Sequence, residues 1–375
     1  MIEIQYLEST ENLKKNILAN QRWTPTSGQA EAIAACLRQG RLFFEAAKRA
    51  PLEIRPLELY YGTSAYAKAL VLATDRNRRI DNLQQAHGVS DKSSHNARLE
   101  QLSIVINERG TFQEFNDSIR TLNCIRPIAV DGSHPEFTFP TADSASVAGL
   151  KLSLKDIFGR LPGLEALYRA TFDERENIDY VQINGPEEGF GWCVSVRSTP
   201  WNGSFGNFVT SLEDARSRMP FLRRWSFQEA SALSGGSLMF RNAKPLANEL
   251  DPNEIQTHTW GFTGQHPAFS RYFRDIESSL GNLIAASRMT GGGYYMQPIN
   301  GQYIAFQSLQ FLALHLLSSL VRYRPAIWMH ALSRSASNGR VADDAMLALI
   351  EAFMERVLVT IPIFVADVIR PGLAN

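Results

Sequence analysis

Pro56-Leu57-Glu58-Leu59-Tyr60-Tyr61-Gly62-Thr63-Ser64-Ala65-Tyr66-Ala67-Lys68-Ala69-Leu70-Val71-Leu72-Ala73 is the stretch on which the reading of the fold turns. Proline suits a first helical turn, where its missing N–H would find no partner anyway. From Leu57 to Ala73 the chain then reads as helix, and Gly62, Ser64, Ala65, Ala67 and Ala69 leave room for a second helix to lie close. Just upstream, between Ser27 and Ala50, Ile33, Leu37, Phe44 and Ala47 recur at three- and four-residue spacing. Glu31, Arg38, Arg41, Glu45 and Lys48 stand among them, the pattern of an amphipathic helix. Pro51 and Pro56 punctuate the join, so the two segments are predicted to pack as an antiparallel pair.

Working outward, the chain turns polar from Asp75 to Asn96, and Leu102-Ser103-Ile104-Val105-Ile106 before Glu108-Arg109-Gly110 reads as a strand and turn. Leu152 to Thr171 is helical around the turn Leu161-Pro162-Gly163. Aromatic and β-branched residues then take over: Tyr180-Val181-Gln182-Ile183, Trp192-Cys193-Val194-Ser195-Val196 and Gly206-Asn207-Phe208-Val209 are predicted strands of a small β-rich unit at about 178–264. From Gln302 helix returns. The apolar run through Leu309, Phe311, Leu316 and Leu320 predicts a helix buried nearly all round; Pro325 restarts the chain, and Ala342 to Ile369 forms a last long helix carrying Pro362. The fold class expected is mainly α (α+β), with helical N- and C-terminal parts flanking a small antiparallel β-rich insert. The expected divisions are 1–150, 151–300 and 301–375.

Among 375 residues, 38 basic and 38 acidic side chains cancel, so no net field draws the chain to nucleic acid or to a membrane surface. A hydrophobic fraction of 44%, a charged fraction of 20% and a mean hydropathy of −0.19 exclude the disordered and fibrous classes. Cys36, Cys124 and Cys193 are too few and too scattered for a disulfide framework or a zinc knuckle. Glu3, Glu8, Glu11, Lys14 and Lys15 are out of keeping with an export signal, and the apolar run from Val357 to Ile369 is shorter than the ~20 residues that span a bilayer. The expectation is a cytoplasmic protein without a membrane partner.

Two blocks of sequence resemble the YaaC-like family of bacterial cytosolic proteins. The first contains Gln39-Gly40, Phe43-Phe44, Ala46-Ala47, Arg55-Pro56-Leu57, Leu59-Tyr60-Tyr61-Gly62, Ala67-Lys68-Ala69 and His87-Gly88-Val89. The second is Leu317-Ser318-Ser319-Leu320-Val321-Arg322-Tyr323 with Pro325 and Trp328. The resemblance implies a fold and a localisation and assigns no catalytic residue.

Both blocks hold candidate site residues. Tyr60 and Tyr61 place two phenols one helical turn after Pro56, where His87 can be held against them. The plain reading is a satisfied polar patch at a helix junction. The functional reading is a ligand site in which a base or ribose stacks on tyrosine while His87 donates or accepts a proton. Arg322, Tyr323 and Arg324 lie where an apolar helix ends, so their guanidiniums suit the last carbonyls and the dipole, with Trp328 packed under the turn. Arg322 and Tyr323 are also candidate phosphate holders. A sharper reading pairs Arg324 with His330, whose spacing fits the Arg-x4–6-His pattern of helical HEPN ribonucleases, in which imidazole moves a proton and guanidinium stabilises charge on a scissile phosphate. With seven histidines and many arginines, roughly one or two such spacings arise by chance, and one is found.

No phosphate-binding glycine loop, HExxH or paired CxxC occurs, Gly291-Gly292-Gly293 reads as a connector, and His258 with His266 lack a third ligand. Ser204 is not in a nucleophile elbow. The group Trp192, Trp201, Phe205 and Phe208 reads as sheet core or a ligand platform. No cofactor and no metal are expected. The leading functional expectation is a non-catalytic recognition or assembly component of a bacterial cytosolic complex, with a protein partner or self-association, in a stress or phage-defence context. The alternatives are a metal-independent ribonuclease acting through Arg324 and His330, and a sensor of a nucleotide or other small ligand at Tyr60, Tyr61 and His87. RNA and nucleotides are accordingly candidate ligands.

Overall fold

Thr26 sets the start of the first long helix: the Gln29 N–H donates to its hydroxyl at 3.3 Å, and its own N–H donates to the Gln29 side-chain oxygen at 3.1 Å. In the computed structural model this helix, α3 (Ser27–Arg49), follows α1 (Ile2–Leu7) and α2 (Thr10–Gln21) and precedes α4 (Arg55–Thr74). The structure describes residues 2–94, 97–120, 125–127, 135–137, 142–187, 191–197, 205–219, 222–223, 225–231, 237–242, 283–285, 292–332 and 341–370. The chain divides into two units, one drawn from 1–121, 141–176 and 299–375, the other from 122–140 and 177–298.

In the first unit α3 and α4 run antiparallel. Gly40 meets Tyr66, Phe44 meets Gly62, and the Gln29 amide donates to the Arg76 carbonyl at 2.9 Å, so partners descend on one helix as they ascend on the other. A Cβ on Gly62 would stand 2.5 Å from the Phe44 ring, so only glycine allows this approach. Between α4 and the later helices lie α5 (Thr111–Arg120), α6 (Ser144–Val147), α7 (Leu154–Phe158) and α8 (Glu165–Phe172). A three-stranded antiparallel sheet, order β1-β2-β5, is built from β1 (Val89–Asp91), β2 (Ser103–Ile106) and β5 (Lys151–Ser153).

The apolar run near the C-terminus becomes the central helix of this unit, α10 (Phe306–Tyr323), in which Phe306 and every residue from Ser308 to Leu320 are buried. Its Phe311 ring lies 5.7 Å from Tyr60 on α4 and 5.8 and 5.7 Å from Phe112 and Phe115 on α5. Pro325 opens α11 (Pro325–Leu332), anchored by the buried Trp328, whose indole N–H donates to the Glu53 carbonyl at 3.1 Å. The last helix, α12 (Val341–Ile369), carries Pro362 within it and closes the unit. Phe353 meets Phe158 at 5.1 Å, and the Gln310 amide donates to Thr360 at 2.9 Å.

The second unit contains a two-stranded antiparallel sheet of β3 (Ile125–Pro127) with β4 (Pro135–Phe137) and a larger antiparallel sheet of order β10-β11-β6-β7-β9-β8. Its strands are β6 (Ile178–Glu187), β7 (Gly191–Arg197), β8 (Trp225–Ser231), β9 (Ser237–Asn242), β10 (Leu283–Ala285) and β11 (Gly292–Met296). The segment expected as a strand at Gly206–Val209 belongs instead to a helix, α9 (Phe205–Arg218). The reason is visible one turn further on. Phe208, Leu212, Ala215 and Met219 repeat at helical spacing and pack on Val181, Val194, Trp225 and Phe240 of the sheet, so tertiary burial overrides the local strand preference. Gly292 and Gly293, expected in a connector, lie on β11, where Gly293 pairs with Val181 on one side and Ala285 on the other. The side chains of Trp192 and Phe205, and all of Trp201, Ser204, His258 and His266, lie outside the described residues.

The protein is therefore mainly α with antiparallel sheets, an α+β architecture. Among the described residues no helix is long and apolar enough to cross a membrane. Gly62→Ala is expected to destabilise the protein by about 1–3 kcal/mol, because the added methyl must displace the Phe44 ring or part α3 from α4; equilibrium unfolding in denaturant measures it.

Candidate functional site

His87 is positioned first by hydrogen bonds to the backbone carbonyls of its own segment. The start of α5 clamps its segment: Thr111 N–H donates to the Ala86 carbonyl at 2.8 Å, Phe112 N–H to that of His87 at 3.1 Å, and the Gln113 amide to that of Gly88 at 2.9 Å. Gly88 has φ +80°, and a Cβ there would meet the Gln113 side chain and the Gly110 backbone, so the turn that presents His87 requires glycine.

From α4, Tyr60 reaches His87 with its hydroxyl 2.7 Å from Nδ1. Tyr60 is wholly buried, and burial raises its pKa well above the phenol range. The hydroxyl thus keeps its proton, and the direction of its bond to Nδ1 follows the imidazole tautomer. In the tautomer in which Tyr60 donates to Nδ1, the neutral imidazole carries its proton on Nε2 and is a hydrogen-bond donor on its other side. Burial, then the charges of Arg322 and Lys68, hold the His87 pKa below the ordinary histidine value, so the ring is neutral at pH 7.

The α10 helix contributes two further groups. His315 is 5% exposed, its ring 5.1 Å from Tyr60 and 5.3 Å from His87. Its Nδ1 is buried with no hydrogen-bond partner among the described residues. Burial first, then His87 and Arg322, push this imidazole down to about 3. Two turns on, the Arg322 guanidinium lies 5.7 Å from the Tyr60 ring and 4.9 Å from the exposed Tyr323 ring. It donates weakly, at 3.3 Å, to the carbonyl and hydroxyl of Ser318, which is the expected helix-end bonding displaced one turn back.

Among the described residues, some cations of this unit have carboxylate partners and others do not, Arg356 with its bond to the Gly163 carbonyl being one of the latter. Arg41 is paired with Glu8, Arg55 with Glu355 and Arg169 with Glu176. Arg322 and Lys68 have no carboxylate partner among the described residues. Two fixed cations flank two neutral imidazoles, an arrangement that repels a metal ion and attracts an anion. No group of three or more metal-ligating side chains occurs among the described residues.

Beside the cluster an open groove of about 410 Å³ runs along α3 and α4, lined by Gln39, Phe43, Leu57, Glu58, Tyr61, Ser64, Ala65 and Lys68. Tyr61 joins the two features: its ring lies 5.8 Å from Tyr60 and 5.8 Å from Phe43.

The structure thus brings Tyr60, Tyr61, His87, Arg322 and Tyr323 together, although 322 and 60 are far apart in the chain. It places Arg324 and His330 differently. The Arg324 guanidinium donates to the Ser94 and Ser93 carbonyls at 2.8 and 2.9 Å and stands 3.4 Å from the Asp91 carboxylate, tying the end of α10 to the loop after β1. His330 is exposed on α11. His315 and Lys68 were not among the candidates read from sequence. The available signal for His315 was one imidazole inside the apolar run from Leu309 to Leu320, a pattern equally compatible with a histidine satisfied in a core.

A family model described as YaaC-like Protein matches residues 5–369, and the chain belongs to that family. Comparison with curated proteins found no match, and comparison with solved structures found none.

The depressed imidazoles make stability depend on pH. A histidine of ordinary pKa near 6.5 when unfolded and about 3 when folded binds a proton more readily in the unfolded chain between those values. Stability is therefore expected to be full above pH ~6.5 and to fall as pH drops from there toward 3. His315→Gln is expected to flatten this decline, read by denaturant unfolding from pH 7.5 to 4.5.

Proposed function

We propose that this YaaC-like protein is a recognition component that binds a small oxyanion-bearing ligand at the cluster of Tyr60, His87, His315 and Arg322, without bond chemistry of its own. The observation that carries this reading is the half-buried Arg322 without a carboxylate partner among the described residues, set beside the partnerless Nδ1 of His315. A polar atom left unpaired in the interior costs about 1–3 kcal/mol, and a desolvated charge more, so such groups call for a functional account. An oxyanion would accept from the His87 Nε2–H and from the Arg322 donors that Ser318 does not use. Lys68 would add long-range attraction. The buried Tyr60 acts as a positioning residue, holding the His87 ring through Nδ1.

The same geometry weighs against Arg324 and His330 as a reactive pair, since the Arg324 guanidinium is occupied by Ser93, Ser94 and Asp91. The recognition reading needs neither residue.

Inorganic phosphate is the simplest probe. A ligand held only by the folded state raises stability by RT ln(1 + [L]/Kd), about 1.4 kcal/mol at tenfold excess over Kd. For a unit of this size that is a rise of about 3–6 °C in Tm. Phosphate at pH 7 is expected to produce such a rise, Arg322→Gln to abolish it, and His330→Ala to leave it intact. Absence of any phosphate-dependent shift, confirmed by calorimetric titration, overturns the reading. Cleavage of RNA that disappears in His330→Ala would replace it with the ribonuclease alternative.

A further inference from the structure

The groove along α3 and α4 adjoins the oxyanion cluster through Tyr61, whose ring lies 5.8 Å from Tyr60, and through Lys68, whose charge acts on His87. Resting on the proposed oxyanion site, we infer that the ligand is a nucleoside monophosphate, its phosphate at His87 and Arg322 and its base in the groove against Tyr61 and Phe43.

Charge selects the phosphate end. Arg322 and Lys68 together supply two positive charges with no carboxylate partner among the described residues, matching the nearly two negative charges of a phosphomonoester at pH 7 better than the single charge of a carboxylate. Aromatic geometry selects the other end. The rings of Phe43 and Tyr61 stand 5.8 Å apart at only 30° to one another and form one wall of the groove, and Tyr61 is 38% exposed, so its ring is open to a stacking partner. The groove also carries Gln39, Glu58 and Ser64, which offer donors and acceptors to the edge of a base, whereas a purely apolar ligand would leave them unpaired. A volume of about 410 Å³ lies in the range of small-ligand sites.

Continuity joins the ends. Tyr61 is in ring contact both with Phe43 in the groove and with Tyr60, whose hydroxyl holds His87. Lys68 lines the groove while its charge acts on His87. A ligand filling both features would pass its sugar between these two side chains. The chain's zero net charge favours a single nucleotide over a polynucleotide, whose tight binding draws on many basic contacts.

Calorimetric titration of the full chain at pH 7 with inorganic phosphate, ribose 5-phosphate, the four common ribonucleosides and their 5′-monophosphates tests the inference. At least one monophosphate is expected to bind about tenfold or more tighter than ribose 5-phosphate, the gain that one stacked base supplies. Phe43→Ala and Tyr61→Ala, each checked for normal folding by circular dichroism, are expected to bring that affinity down to the level of ribose 5-phosphate. If all four monophosphates bind no better than ribose 5-phosphate while phosphate still binds, the nucleotide inference fails and the oxyanion site stands. Failure of every phosphate-bearing probe removes the oxyanion site as well. Nucleosides binding as tightly as their monophosphates, or a monophosphate indifferent to both aromatic substitutions, also overturns the inference.

Discussion

The contact of α4 with α10 governs the first unit, and Tyr60 lies at its centre. Its ring is enclosed by Phe311, His315 and His87, and its hydroxyl would be left buried without a partner were His87 not 2.7 Å away. The Tyr60 hydroxyl in this helix interface is thus answered from a third segment. That requirement ties α4, α10 and the turn before β1 into one arrangement, and it places two imidazoles and a guanidinium at the edge of the core.

The supporting structure follows from the same constraint. Gly62 lets α3 come close enough to turn Phe43 and Tyr61 toward one another, while Trp328 locks the chain after α10 to the turn before α4 through the Glu53 carbonyl. Arg324 fastens the end of α10 to Ser93 and Ser94, a few residues beyond His87. Most arginines near this core have a carboxylate or carbonyl to satisfy them. Arg322 has 3.3 Å contacts to the Ser318 carbonyl and hydroxyl and lies over the Tyr60 and Tyr323 rings, and under the proposed function an oxyanion would take its remaining donors.

The two family-bearing blocks of sequence acquire a physical meaning here. Residues 55–62 and 87–89 supply the tyrosines, the glycine of close approach and the histidine on its glycine turn; residues 317–328 supply the helix end, Arg322 and the tryptophan anchor. The two blocks meet where the Arg322 guanidinium lies 5.7 Å from the Tyr60 ring.

How far the sequence reached depended on the range of the forces involved. Local periodicity determined α3, α4, α10 and the long last helix, because three- and four-residue spacing of Ile33, Leu37, Phe44 and Ala47, or the unbroken apolar run through Leu316, reports burial directly. It misjudged Gly206–Val209, where a short strand-like run belongs to a helix held by contacts of Ala215 and Met219 with the distant sheet. Tyr60, Tyr61, His87, Arg322 and Tyr323 were legible as candidates because polar and aromatic groups at helix ends are conspicuous. Their meeting was not legible, nor was the part of His315, since a histidine in an apolar helix has no local signature of what it faces. Only the tertiary structure decided that Arg324 meets the Asp91 carboxylate while Arg322 has no carboxylate partner among the described residues: whether a charge has a partner depends on segments brought together by folding, and spacing along the chain carries no record of that.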